Sequence, residues 1–432
     1  MSISKAIRSV LRPHSNWPSN NVLAIHTVRR TYTAVSITND DMTTDIAEVI
    51  AETTAPLWSP KMIAWQAHSY STIDDLVLTS NARSPLVVGP RELLVRVKAS
   101  SVNPLDVLMA QGFGQVLLGT IRQAQKLSLH KPMEFPLTLG RDFSGEIIAK
   151  GVNVKSDLNI GDKVMGVIPP FHQGCHAEFV AVPEGLVAKK PAHMTSEEAA
   201  GLLYSGLTAW SALKLAGGLC VLSATEKNVL VIGGSGGVGN CAVQLLKNWG
   251  AKVTTTCSTD AINLVKALRP DNIIDYTAKD AKQQLENYGK YDIILDAAGI
   301  SYNKINAFMP LLKGWSCSAF ITLRSPILHN TDSYGLVGGM IKNAIDLVVP
   351  NVLSGAVFKG SSIRWGTFMP LECGVRELAQ LAEEKKMFVP LEKTFKFIDL
   401  KDAYKRVQEG HLRGKVVITY DKPSLDKARL TN

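Results

Sequence analysis

The segment Val229-Leu230-Val231-Ile232-Gly233-Gly234-Ser235-Gly236-Gly237-Val238-Gly239 limits the possible fold more than any other stretch of this chain. Four consecutive apolar residues suit a strand buried in a parallel sheet. The glycine run ends that strand, and an amphipathic pattern then continues through Trp249 until Gly250 stops it. Gly234, Gly236 and Gly239 stand at GxGxxG spacing. Gly234 permits a tight turn, Gly236 lets the backbone approach a pyrophosphate, and Gly239 lets the helix pack closely on the strand. Ser235, Gly237 and Val238 complete the loop, whose free amide groups and helix dipole favour phosphate. A glycine-rich hairpin is the competing reading, but hairpin turns do not usually precede so regular a helix.

The second strand decides which dinucleotide fits. It ends Thr255-Thr256-Cys257-Ser258 with no acid before Asp260, so nothing is placed to take the ribose hydroxyls of NADH or to repel a 2′-phosphate. NADPH is the expected cofactor. Ser258 is the natural hydroxyl donor to that phosphate, with Tyr276 beside it; for each, a surface turn residue is the plain alternative.

On either side of the loop the pattern changes twice. From Lys61 to Pro183 short alternating runs such as Glu92 to Ser100 predict an antiparallel β-rich unit. After a helix start at Ser196-Glu197-Glu198, strands and helices alternate (Lys252–Thr256, Ala261–Leu268, Asn272–Ile274, Tyr291–Leu295), which predicts a doubly wound parallel sheet. From about Gly360 the character is mixed again, and its last strand, Lys415 to Tyr420, is placed back on the first unit. The expected division is 1–58 leader, 59–183 β-rich domain, 184–335 nucleotide-binding domain, 336–422 return to the β-rich domain, and 423–432 tail.

The 432 residues carry a net charge of +9, and five of the basic residues (Lys5, Arg8, Arg12, Arg29, Arg30) precede the first acid, Asp40. An Arg- and Ser-rich leader with short apolar groups has the composition of a mitochondrial transit peptide, cleaved between about residues 30 and 58. No basic run with interleaved aromatics suggests nucleic acid. No unbroken apolar run reaches the ~18–20 residues of a membrane span; the best candidate, Leu336 to Val349, contains Lys342 and Asp346. The six cysteines form no CxxC or clustered metal motif and read as small buried side chains.

An ordered series of motifs then carries a family resemblance. Ala99-Ser100-Ser101-Val102-Asn103-Pro104-Leu105-Asp106, Gly140-Arg141-Asp142-Phe143-Ser144-Gly145, Gly161-Asp162-Lys163-Val164, Gly206-Leu207-Thr208-Ala209-Trp210, the glycine loop and Gly410-His411-Leu412-Arg413-Gly414-Lys415-Val416-Val417-Ile418 resemble the zinc-free quinone oxidoreductase branch of the medium-chain dehydrogenase/reductase superfamily. Coverage runs from about residue 60 to 420. The resemblance implies an α/β chain with a GroES-like catalytic domain beside a Rossmann domain, and a helix bearing Tyr204 and Thr208 under the nicotinamide. The Thr-Leu-Gly-Arg-Asp context, the Cys257-Ser258 pair and Arg364-Trp365 resemble a mitochondrial group within that branch, which implies an NADPH oxidoreductase of the matrix linked to ubiquinone biosynthesis and its proteins. A homodimer through the edge of the Rossmann sheet is also implied.

Where the zinc-dependent members of that superfamily hold metal, this chain has Asn103 to Asp106 and Arg141-Asp142, with no soft ligand, so no metal is expected. Without a Lewis acid, alcohol oxidation is disfavoured and reduction of a quinone or enone is favoured. Asn103 is the first candidate donor to the developing oxyanion, Arg141 the second, and Asp106 a positioning residue; a turn-forming Asn-Pro and a structural ion pair are the competing readings. His172 and His176 read as solvated loop residues. Two alternatives stay open: an NADPH-binding scaffold for quinone-synthesis enzymes, and a mitochondrial enoyl-thioester reductase. The latter needs a tyrosine donor, and none occurs from Ser101 to Met109.

Overall fold

A computed structural model describes residues 60–85, 89–125, 134–354, 359–421 and 425–426. The expected leader and most of the tail lie outside the described residues. Within 56–432, which forms one compact unit, the elements in chain order begin with β1 (Lys61–Ala67), β2 (Val77–Arg83), β3 (Glu92–Val102), β4 (Leu137–Thr138), β5 (Asp142–Lys150), β6 (Lys163–Val167), β7 (Phe179–Pro183) and β8 (Val187–Lys189). The nucleotide-binding half contributes β9 (Asn228–Ile232), β10 (Lys252–Cys257), β11 (Asn272–Asp275), β12 (Ile293–Asp296), β13 (Ser318–Thr322) and β14 (Ser361–Trp365). β15 (Leu391–Lys396) and β16 (Lys415–Thr419) close the chain.

The strands β11-β10-β9-β12-β13-β14 form a six-stranded sheet, parallel throughout. Val229, Leu230 and Val231 are fully buried, as a strand covered on both faces requires. The order reverses at β9, so the crevice beyond the carboxyl ends of β9 and β12 is the topological switch point. β14 was expected with the return to the β-rich domain. It instead pairs with β13, Phe320 opposite Ile363, because Ile363 completes the apolar face built by Phe320 and Ile294.

The β-rich half is built on the order β15-β16-β3-β5-β6-β8, with β7 on β3. β16 lies antiparallel to β3, placing Val417 opposite Ser101. Thus a strand more than 300 residues away in sequence lines the same floor as Asn103. Between the two sheets runs the helix Ser196–Ser211, buried almost all round. Thr195 accepts the Glu198 N–H (3.1 Å) while the Glu198 carboxylate accepts the Thr195 N–H (2.8 Å), a reciprocal cap that fixes where the helix starts. That start sets the phase of the helix that carries Tyr204 and Thr208.

The segment Ile327–Leu353 is long and apolar enough to cross a membrane, the one such helix among the described residues. It is broken at Gly335, and Asn330 on the first arm bonds Asn343 and Asp346 on the second, so the segment is not one straight helix. Asn351 from this segment donates to the Ile363 carbonyl (3.0 Å) and accepts its N–H (2.7 Å), covering the outer edge of β14 at that residue. An edge-to-edge dimer would have to displace it.

Candidate functional site

The glycine loop leaves β9 at Gly233, which takes a φ of 86°. The left-handed turn therefore falls on Gly233 and not, as expected, on Gly234. Gly234 is required for a different reason: a Cβ there would lie 2.2 Å from Thr255 Oγ1, and its N–H donates to the Thr256 carbonyl (2.9 Å). Gly239 would place a Cβ 2.0 Å from the Gly233 carbonyl oxygen, so helix and turn touch backbone to backbone. Gly236 caps the helix Gly237–Asn248, and a Cβ on it would meet nothing nearer than 3.7 Å. The face with room for a pyrophosphate is thus the one carrying the helix N-terminus, which fits a nicotinamide dinucleotide.

At the end of β10, Ser258 donates to Asp260 (2.5 Å) and accepts from Arg413 (2.9 Å). Arg413 also contacts the Asp260 carboxylate at 3.0 Å, and these two partners hold that carboxyl below its ordinary range. In the sequence Arg413 stands within the closing motif, Gly410 to Ile418. No local pattern pairs it with Asp260, which lies 153 residues away. Tyr276 follows β11, exposed, with its N–H on the Cys257 carbonyl (3.1 Å).

Beneath the loop lies a buried polar cluster. Asn103 precedes the helix Pro104–Ala110, and the Asp106 carboxylate accepts the N–H groups of Asn103 and Gly140, both at 2.9 Å. The Asn103 amide has both ends engaged: Oδ1 accepts from Lys415 Nζ (2.5 Å), and Nδ2 donates to Asp142 (2.9 Å) and Ser101 (3.2 Å). Arg141, fully buried, donates to the carbonyls of Pro169 and His172 (3.0 Å each) and Thr138 (3.3 Å), with Nε 3.4 Å from Asp106. The geometry leaves little of Asn103 or Arg141 for the donor roles expected of them: Asp142 and Ser101 take the Asn103 amide, backbone carbonyls take both terminal nitrogens of Arg141, and only Arg141 Nε, buried 3.4 Å from Asp106, has no hydrogen bond.

Lys415 is the further residue this cluster brings in. Its ammonium lies 3.7 Å from Asp142 and 5.8 Å from the centre of the Tyr204 ring, and its stem passes 3.1 Å from where a Gly237 Cβ would sit. Burial pushes the Asp142 carboxyl up, against the pull of Lys415, Ser101 and Asn103. Tyr204 stacks on Phe368, ring centres 4.5 Å apart, and its hydroxyl has no hydrogen-bond partner among the described residues. Burial raises the pKa of that phenol. Thr208 donates to the Tyr204 carbonyl (2.7 Å), one turn back along the helix.

His176 is not a solvated loop residue. It is fully buried between the Tyr404 hydroxyl (3.0 Å) and the Ser101 carbonyl (3.2 Å), and desolvation lowers its pKa to about 4. A neutral imidazole with both nitrogens bonded explains how a histidine sits in a core. Among the described residues, no three His, Cys, Asp or Glu side chains converge to hold a metal. The donors nearest to such a set, Asp142, Asp106 and Cys175, already face the ammonium of Lys415 and the guanidinium of Arg141, and a dication there would be repelled by both. This site does not fit zinc.

Residues 89–192 match the alcohol dehydrogenase GroES-like domain and residues 268–418 match a family described as zinc-binding dehydrogenase. The mitochondrial NAD(P)H oxidoreductase RTN4IP1 of Danio rerio is 41% identical over 83% of this chain and 91% of its own; the Homo sapiens protein is 39% identical over 85% and 91%. Among solved structures, a quinone oxidoreductase from Coxiella burnetii superimposes with a TM-score of 0.65 at 25% identity, covering 84% of this chain and all of that one. With a glycine loop shaped for a nicotinamide dinucleotide and relatives of this extent, the chain belongs to the family of mitochondrial NAD(P)H oxidoreductases within the medium-chain dehydrogenase/reductase superfamily.

Proposed function

We propose that this oxidoreductase uses NADPH to reduce a quinone or related conjugated carbonyl in the mitochondrial matrix. The observation that carries the reading is the Arg413 guanidinium bonded to Ser258 at the end of β10, where the adenosine ribose of a bound dinucleotide would carry its 2′-phosphate. Bound NADPH would supply the hydride. The loop amides from Ser235 to Gly239 hold the pyrophosphate, and Ser258 with Arg413 selects the phosphorylated ribose, with Tyr276 flanking it.

On the acceptor side, the ligand set around Asp142 offers no Lewis acid, which favours substrates whose π-system accepts hydride directly. The Tyr204 hydroxyl donates to the oxygen that gains charge, and its raised pKa keeps the proton in place until that charge develops. Lys415, against the same ring, favours negative charge there. Asn103, Asp106 and Arg141 act as positioning residues that hold Lys415 and the turn after β3. Thr208 steadies the helix turn that bears Tyr204. The link to ubiquinone biosynthesis and to proteins of that process rests on the family resemblance.

NADPH absorbance followed with short-chain quinones, enones and an enoyl thioester, beside a Gly236→Val control that blocks the pyrophosphate face, tests the proposal. Turnover on quinones that vanishes in the control supports it. Tight NADPH binding without turnover on any acceptor would overturn it in favour of a cofactor-binding scaffold, and preference for the thioester would make the chain an enoyl reductase.

A further inference from the structure

The segment between β13 and β14 belongs neither to the nucleotide sheet nor to the polar cluster. Its two arms meet at Gly335, whose φ of 70° and ψ of 177° break the helix. Asn330 donates to Asn343 and to Asp346, both at 2.8 Å, and a Cβ on Gly339 would strike the Thr331 backbone at 2.5 Å. In a straight helix, residues 13 apart would be separated by roughly 20 Å, so the arms must fold back on each other as a hairpin. One side is anchored. Asp332 accepts the N–H groups of Gly114 (2.6 Å) and Val116 (3.0 Å), and Asn351 clasps β14.

The other side is open and apolar. Val337, Met340, Ile341, Ile345, Val348 and Val352 recur at the spacing of one helical face and are each about half or more exposed. Lys342 pairs with Asp346 at its margin. Trp315, 84% exposed, stands on the turn that donates to the Lys359 carbonyl just beyond the hairpin. Monomeric proteins rarely leave so continuous an apolar face to water.

Charge decides what covers it. From residue 301 to 370 there are six basic side chains and two acidic ones; Lys342 pairs with Asp346 within the hairpin and Lys313 with Asp292 outside it, which leaves four basic side chains against Asp332, itself engaged by backbone N–H groups. A two-fold dimer through this face would set the same positive surround against itself. We propose that the hairpin lies flat on an anionic phospholipid membrane, its apolar face in the headgroup–acyl boundary and Trp315 and the lysines at headgroup level. The inference rests on the quinone reading above, because it lets the enzyme draw a lipophilic acceptor from the bilayer.

The test is flotation of the full chain with vesicles of phosphatidylcholine alone or mixed with phosphatidylglycerol. The chain should float with the anionic vesicles, and Ile341→Asn with Ile345→Asn should lower the bound fraction on the order of tenfold. Val221→Ser, an exposed apolar residue outside the hairpin, should change nothing. All variants share the basic N-terminus, so its contribution cancels; Val337→Asn and Trp315→Ala repeat the comparison if the double variant folds poorly. Equal flotation of wild type and hairpin variants, or none, overturns the proposal. So does a concentration-dependent dimer, lost in the variants, without vesicle binding. Without vesicles, wild type and variants should oxidise NADPH equally with a water-soluble short-chain quinone; failure of both there would sink the quinone reading, not the docking.

Discussion

Replacing Arg413 with alanine should convert a cofactor preference into near indifference. The guanidinium touches Ser258 at 2.9 Å and Asp260 at 3.0 Å, and its side chain is 31% exposed, so it is pre-positioned but partly screened. A charge-assisted hydrogen bond to phosphate is worth ~1.5–3 kcal/mol, and ~2 kcal/mol after allowing for the contacts to Asp260 it must share, which is roughly 30-fold in NADPH affinity. The loss has two parts: a missing cation, and an Asp260 carboxylate left beside Ser258 with nothing to offset it. Adding Asp260→Asn to Arg413→Ala should therefore recover part of the NADPH affinity, whereas NADH, which lacks the phosphate, should change little in either variant. Quenching or enhancement of cofactor fluorescence gives both dissociation constants. The salt dependence of NADPH binding should also flatten in Arg413→Ala, as one fixed charge opposite the phosphate has gone. If NADPH and NADH weaken together, Arg413 supports the fold of the closing turn and selects nothing.

Other consequences follow from the same geometry. Gly239→Ala pushes a methyl group to 2.0 Å from the Gly233 carbonyl and should cost ~2 kcal/mol or more in thermal or urea unfolding, whereas Gly236→Ala, with open space before it, should unfold like the wild type yet bind NADPH weakly. His176, held near pKa about 4 against 6.5 when free, stays neutral in the folded chain while the unfolded chain takes up a proton. Stability should thus fall as pH drops from 6.5 toward 4, by up to ~3 kcal/mol, and His176→Gln should flatten that slope in urea titrations; an unchanged slope would place the effect elsewhere. Lys415→Met leaves Asp142 buried without the cation that opposes its raised pKa, and should destabilise by roughly 3–5 kcal/mol. The sign of its pH dependence is set by that raised value: the loss should be smaller in acid, where Asp142 is protonated, and larger once pH rises through the folded pKa.

The buried charges explain why a member of a superfamily that contains zinc enzymes has become something else. Asp142 and Asp106 each carry a neighbouring cation supplied by the chain, and Asn103 is locked between Lys415 and Asp142. A single substitution to cysteine or histidine would add a ligand without removing the two positive side chains. Metal affinity should therefore not be recovered one residue at a time.

What the sequence determined by itself is the part of the molecule in which neighbours in the chain are neighbours in space. Val229 to Gly239 carries its own strand, turn and helix, and the missing acid after Thr256 lies one strand away at a fixed interval, so the nucleotide fold and its loop residues were legible from pattern alone. Even there, the backbone placed the positive φ at Gly233, one residue before the one expected, because which glycine turns depends on where β9 stops pairing with β10 and β12. The catalytic side was not legible. Asn103 and Arg141 have the right chemistry for oxyanion donors, but only the folded chain reveals that Asp142 and Ser101 take the Asn103 amide and that three backbone carbonyls take the terminal nitrogens of Arg141. Arg413 meets Ser258, and Lys415 meets Asn103, because β16 pairs with β3 across more than 300 residues. No local periodicity encodes a contact at that separation; it is fixed by sheet register and by the cost of leaving a buried charge unpaired, and both are properties of the tertiary structure.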